Sequence, residues 1–182
     1  MQRSGSSPQE RGFTLIELLI GLCVLAILTG FAYPSFGRFL SEQELLGEAR
    51  RLSEAVMLAR SEAVKRNATV IVCATSPTRS CGTLDHWHEG WVVFVDEDGN
   101  GLPDPAEPVI GRDLAAMAGV TEVGNRPVAK YFRFDHLGQA RLISGALQMG
   151  TVAVCRPGLR GYHVVLANTG RTRIERATGV CP

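Results

Sequence analysis

Residues 18–37 carry no charged side chain, and this run of 20 constrains the chain more than any other feature. As a helix rising 1.5 Å per residue it would span ~30 Å, the thickness of a bilayer hydrocarbon core. Leu22, Val24, Leu25, Ile27, Leu28 and Phe31 lie within it, so the pattern predicts a membrane-crossing helix and excludes an ordinary soluble enzyme. The apolar character begins at Phe13-Thr14-Leu15-Ile16, which places Glu17 five residues into the segment. A carboxylate there costs a few kcal/mol on insertion scales and marks a functional position, its expected partner being a positive charge near Phe13. A polar leader, residues 1–12, ends in Arg11-Gly12. A secretory signal would instead place its cleavage site after the apolar run. Cleavage between Gly12 and Phe13 would create an α-amino group that supplies the missing charge.

The run Arg11-Gly12-Phe13-Thr14-Leu15-Ile16-Glu17-Leu18-Leu19 resembles the class III signal of type IV pilins and pseudopilins. The resemblance implies cleavage between Gly12 and Phe13 by prepilin peptidase, N-methylation of Phe13, and a docking role for Glu17 among the subunits of a helical filament. Pro34 falls where such proteins carry a helix-kinking proline. The implied location is the inner membrane, crossed once, with a periplasmic domain that later joins a pilus or pseudopilus. An ordinary signal anchor with a chance glutamate is the competing reading.

After Pro34, Leu45, Ala49, Leu52, Val56, Ala59 and Ala63 recur at spacings of four and three, which is one helix face. Glu44, Glu48, Arg51, Glu54, Glu62 and Arg66 are placed on the opposite, wet side, with Glu62 and Arg66 spaced for an i,i+4 pair. Asn67 is a plausible stop, giving a helix from about Phe13 to Arg66, ~80 Å long. Beyond it, β-branched and aromatic runs alternate with Gly, Pro and Asp, predicting strands at 69–74, 91–95, 108–110, 130–134, 140–143, 151–155, 162–167 and 172–175. A chain of 182 residues is too short for two full domains with independent cores. The expected class is α+β: a leader (1–12), a transmembrane half-helix (13–37), and a globular region (38–182) in which the helix continues to about 66 and packs on antiparallel sheet.

Cys23 lies in the apolar segment as a packing residue; Cys73, Cys81, Cys155 and Cys181 would face an oxidising compartment. Four cysteines allow three connectivities. Cys73 with Cys81, around Pro77, and Cys155 with Cys181 is the favoured one, and neither pair has the C-x-x-C spacing of a zinc site. His86 and His88 form an H-x-H pair, without an identifiable third ligand. Asp96, Asp98, Asn100, Asp104 and Glu107, with Gly101 at the sixth position, reproduce the spacing of a calcium-binding EF-hand loop. The preceding Trp91-Val92-Val93-Phe94-Val95 reads as a strand rather than a helix, so an acidic turn between strands competes with calcium.

The net charge of +1 hides two poles: residues 85–113 hold eight acids and one base, and residues 126–182 hold nine bases and two acids. In an extended strand Arg171 and Arg173 project to one side ~7 Å apart, a spacing suited to successive phosphates of a nucleic acid. Arg156, Arg160 and Arg176 would extend the patch, and the competing reading is a charged edge strand that blocks aggregation. Gly170-Arg171-Thr172-Arg173 resembles the Gly-Arg-x-Arg element of FimT-like minor pilins of the GspH/FimT family, which implies binding of double-stranded DNA for uptake. No G-x-S-x-G motif and no glycine-rich phosphate loop is present, so the expected work is assembly and binding, not catalysis. The leading expectation is a minor pilin that enters or primes a type IV pilus beside other pilins. The alternative is an H-type minor pseudopilin of a type II secretion filament, and a third is a calcium-dependent adhesin-like tip.

Overall fold

The computed structural model describes residues 13–75, 81 and 87–182, apart from the side chains of residues 31–35. The leader with Gly12, the loop residues Pro77, Asp85 and His86, and the side chain of Pro34 lie outside the described residues. The chain forms two compact units, Met1–Ser41 and Glu42–Pro182.

Helix α1 runs Leu15–Arg66. Its first turn is closed by a reciprocal pair in which the Glu17 N–H donates to Thr14 Oγ1 (3.3 Å) and the Thr14 N–H to Glu17 Oε2 (3.5 Å), a capping box. It ends in a Schellman motif: Asn67 takes a left-handed φ of 53°, its N–H bonds the Val64 carbonyl, and the Ala68 N–H reaches back to Ala63. In the first unit every described side chain from Phe13 to Gly30 is exposed. Among the described residues no helix is long and apolar enough to cross a membrane; the expected span over 18–37 includes residues 31–35, whose side chains lie outside the described residues.

In the second unit two four-stranded antiparallel sheets share one core. The first has the order β3-β2-β1-β5, with β1 Val70–Ala74, β2 Trp91–Val95, β3 Val109–Asp113 and β5 Tyr131–Phe134. The second has the order β4-β6-β7-β8, with β4 Thr121–Gly124, β6 Gly150–Cys155, β7 Arg160–Leu166 and β8 Thr172–Val180. All six residues of the α1 stripe, Leu45 to Ala63, are fully buried in that core with Val70, Val72, Phe132, Phe134, Val152, Val154, Val164 and Leu166. β1 and β2 are continuous apolar runs because both of their faces are covered. Ile71, Cys73, Val92 and Phe94 form a second, smaller cluster with Cys81 and Tyr131. The disulfides pair Cys73 with Cys81 and Cys155 with Cys181, each across a Cα–Cα distance of 5.6 Å.

Four sequence expectations are corrected. Residues 140–143 form no strand, only isolated bridges at Ala140 and Arg141. The open edge of β5 is satisfied instead by the buried side chain of Gln148, which accepts the Arg133 N–H and donates to the carbonyls of Tyr131 and Pro127. β4 was not expected, since Thr-Glu-Val-Gly has only one strongly apolar residue. β8 continues past Glu175 to Val180 because β7 starts earlier, at Arg160, and pairs with it. Glu48 is buried rather than wet: its Oε1 accepts the Met117 N–H (3.0 Å) and Oε2 pairs with Arg51 (2.8 Å).

The side of the core near β3 and β4 carries the main polar cost. Arg51 bridges Glu48 and Asp113 and lies 4.6 Å over the Trp91 ring. Glu122, on β4, is fully buried, and neither carboxylate oxygen has a hydrogen-bond partner among the described residues. Burial pushes its pKa from 4.5 up to about 8, with the Arg51 charge opposing and Glu48 and Asp113 adding to the rise. The folded protein therefore keeps a proton that the unfolded chain releases above pH ~4.5, and stability falls as pH rises from there to about 8, where the loss is complete. Glu122→Gln is expected to raise stability by roughly a few kcal/mol at pH 7 and to flatten its pH dependence. Urea unfolding at pH 4 to 9 measures this; a wild-type slope unchanged by the substitution would contradict it.

Candidate functional site

Three regions carry the residues singled out by sequence. The first is the N-terminal turn. Glu17 lies there with Thr14 as its capping partner, a role that the Thr-x-x-Glu spacing before an apolar run signals and that the filament reading passed over. Its carboxylate reaches the Thr14 N–H, one residue from the Phe13 nitrogen that cleavage would free.

The second is the loop after β2. Asp96 closes the strand with its side chain buried, and its Oδ1 accepts the Gly101 N–H (3.0 Å), with Gly101 at a φ of 79°. Glu107 folds back across the loop to accept the N–H groups of Glu97 (2.8 Å) and Asp104 (3.0 Å). Asn100 donates through Nδ2 to Asp98 (2.8 Å) and Asp104 (3.0 Å). Of the five residues at calcium-loop spacing, Asp96, Asp98 and Glu107 bring carboxylate oxygens within 4.8 Å of one another. Asp104 is outside that group, and the Asn100 amide lies against it at Asp98. Of the histidine pair, His88 Nδ1 accepts the Glu122 N–H (3.3 Å), and His86 lies outside the described residues.

The third is the turn from β7 into β8. Gly170 has a φ of 77°, and a Cβ there would stand 2.4 Å from the Gly138 carbonyl oxygen and 3.1 Å from Arg60 Nε. Its place in the Gly-Arg-x-Arg element is thus steric, seating the turn against the loop that follows β5. Arg60, which sequence reasoning did not single out, holds that loop by donating from Nε to the Gly138 carbonyl (2.9 Å). Thr172 faces inward, hydrogen-bonded to Ser53 of α1 (3.1 Å), with half-buried Ile174 packed against the core, so Arg171, Arg173 and Glu175 project from the opposite face. A shallow groove of about 400 Å³ runs beside Arg173, floored by Met149, Thr151, Val165 and Ala167.

The wider arginine patch does not assemble. Arg160 pairs in register with Val180, whereas Leu166 pairs with Thr172, which puts Arg160 ~20 Å along the strands from Arg171. Arg176 is paired with Glu42 (2.6 Å) and Arg156 with Glu44 (2.8 Å), both on α1. Arg173 is paired with its neighbour Glu175. Arg171 is exposed and has no carboxylate partner among the described residues. Sequence spacing could not reveal these partners because Glu42 and Glu44 are more than 110 positions away from their arginines.

Residues 48–170 match the family model described as type II transport protein GspH, and residues 7–33 match that of the prokaryotic N-terminal methylation motif. The first match stops at Gly170, just short of Arg171. The chain is 32% identical over 177 residues to pilin-like protein PilA1 of Thermus thermophilus, covering 91% of this chain and 99% of that protein. It is 40% identical over 161 residues to type II secretion system protein H of Pseudomonas aeruginosa, covering 88% and 92%. Its fold is similar to the crystal structure of the type IV minor pilin FimU of P. aeruginosa, with a TM-score of 0.56 at 17% identity over 79% of this chain and 99% of that one. The chain belongs to the GspH/FimT family of type IV minor pilins and pseudopilins.

Proposed function

We propose that the chain is a minor pilin, processed after Gly12 by prepilin peptidase, anchored in the inner membrane through its N-terminal helix, and built into a type IV pilus or its priming complex. The observation that carries this reading is the methylation motif over residues 7–33 on a helix whose described side chains are exposed on every side from Phe13 to Gly30. A helix this apolar on every side needs lipid or other helices to cover it, and the membrane and then a filament core supply them in turn. The work is assembly and binding, not catalysis. The second reading, an H-type pseudopilin of a type II secretion filament, draws support from the 40% identity to protein H. Deleting the gene separates the two: loss of surface pili with protein secretion intact is expected. Loss of secretion with pili intact would move the chain to the secretion filament.

The finer part of the proposal is weak, sequence-independent binding of double-stranded DNA through Arg171 and Arg173. Gly170 fixes the turn that presents them, and Arg171 has no competing carboxylate among the described residues. With so few phosphate contacts the dissociation constant should fall at ~10⁻⁴ to 10⁻⁶ M and weaken steeply with salt. Replacing both arginines with alanine should lower the log-log salt slope by ~0.9 per lost contact, while Arg160→Ala and Arg176→Ala leave it unchanged. A fluorescence-polarisation titration at several salt concentrations measures it. Undiminished binding by the double variant would end the DNA reading without touching the filament one.

A further inference from the structure

The acidic loop holds a feature that neither assembly nor DNA binding uses. The Asp96 side chain is wholly buried, and its Oδ2 receives no hydrogen bond from any described residue. Arg133, the cation nearest to it, stands off at 3.8 Å, and its Nε also lacks a hydrogen bond. A buried carboxylate oxygen left in this state costs free energy unless a further positive charge reaches it. Around it the chain gathers more negative charge: carboxylate oxygens of Asp96, Asp98 and Glu107 lie within 4.8 Å of one another. At that limit a point between the three oxygens lies no more than ~2.8 Å from each, so a small inward movement of the exposed Asp98 brings all three to a calcium–oxygen distance of ~2.3–2.6 Å.

We propose that Asp96, Asp98 and Glu107 bind a calcium ion in the loop between β2 and β3. The donors are hard oxygens, without nitrogen or sulfur, which selects calcium or magnesium over transition metals. Calcium accepts the irregular, partly solvated shell that an open loop with one exposed carboxylate, Asp98, provides, whereas magnesium demands a near-ideal octahedron. The loop is pre-shaped for this. Gly99 and Gly101 both take a φ of 79°, and the Gly101 N–H fixes the Asp96 carboxylate from its other oxygen. Glu107 is oriented by the N–H groups of Glu97 and Asp104. Asp104 lies outside the carboxylate group, and Asn100 braces the loop by spanning from Asp104 to Asp98. The loop is entered from a strand, so the ion would hold the connection between β2 and β3 closed rather than swing two helices.

The test uses the full chain in detergent micelles, freed of metal with a chelator and titrated with calcium chloride or magnesium chloride by calorimetry and thermal unfolding. The expected result is one calcium per chain, with a dissociation constant of ~10⁻⁴ to 10⁻³ M as in extracellular modules, and a rise in unfolding midpoint at about 10 mM calcium. Asp98→Asn should weaken binding at least ~10-fold. Glu107→Gln should weaken it as well. No heat and no midpoint shift in the wild type at that concentration overturns the proposal. Equal binding by wild type and Asp98→Asn overturns the assigned site, and magnesium binding as tightly as calcium overturns the choice of ion.

Discussion

Both sheets close on a single helical stripe. Leu45, Ala49, Leu52, Val56, Ala59 and Ala63 are all fully buried, and half of them are alanines, so the backbone of α1 can approach the inner faces of the sheets closely. At roughly 25 cal/mol per Å² of apolar surface, this shared layer is the main cohesive term of the second unit. The polar residues flanking the stripe then set where each surface feature lies. Ser53 fixes β8 through Thr172, Arg60 fixes the Gly138 loop on which Gly170 rests, and Arg51 and Glu48 fix the segment after β3. The presentation of Arg171 and Arg173 is therefore a consequence of helix packing and not a local property of the strand.

The same helix redistributes the charge. In sequence, the acidic 85–113 and basic 126–182 segments form two poles. In the folded unit Arg141 answers Asp135, and Arg156 and Arg176 answer Glu44 and Glu42. Much of the basic excess is spent within the chain. Exposed pairs of this kind add little stability, commonly below ~1 kcal/mol, yet each lowers the field a phosphate backbone would meet. What remains is short-ranged and falls off within a Debye length of ~8 Å at physiological salt, so any DNA contact falls to Arg171, which has no carboxylate partner among the described residues, and to Arg173, held only by its exposed neighbour Glu175.

How much of this is legible in the sequence follows from how local each signal is. The buried stripe, the Asn67 stop, the β1 and β2 runs and the Glu62–Arg66 pair (2.6 Å) are written in spacing alone, and the structure matches each. Features decided by distant partners are not. β4 is a strand because β6 offers a ladder to it, despite a glutamate in its middle. Residues 140–143 look like a strand but lose to Gln148, whose amide replaces the ladder. Glu48 sits where the helical wheel predicts solvent and is buried because the Met117 segment folds over it. At the candidate sites the favoured disulfide pairing is met, whereas the separation of Arg160 from Arg171 depends on strand register, which residue counting does not give.

The N-terminal turn shows how one residue can meet two demands. In a low-dielectric surrounding, an open N–H at a helix start is expensive, and Thr14 and Glu17 cover two of them reciprocally. That arrangement uses the geometry of the Glu17 carboxylate but does not neutralise its charge. On the proposed processing after Gly12, the α-amino group of Phe13 would lie one residue from the capped nitrogen, where it could neutralise that charge. Capping is therefore compatible with the docking role proposed for the same side chain. The first needs only an oxygen acceptor, while the second needs the negative charge, which is the property that a neutral glutamine of equal shape would lack.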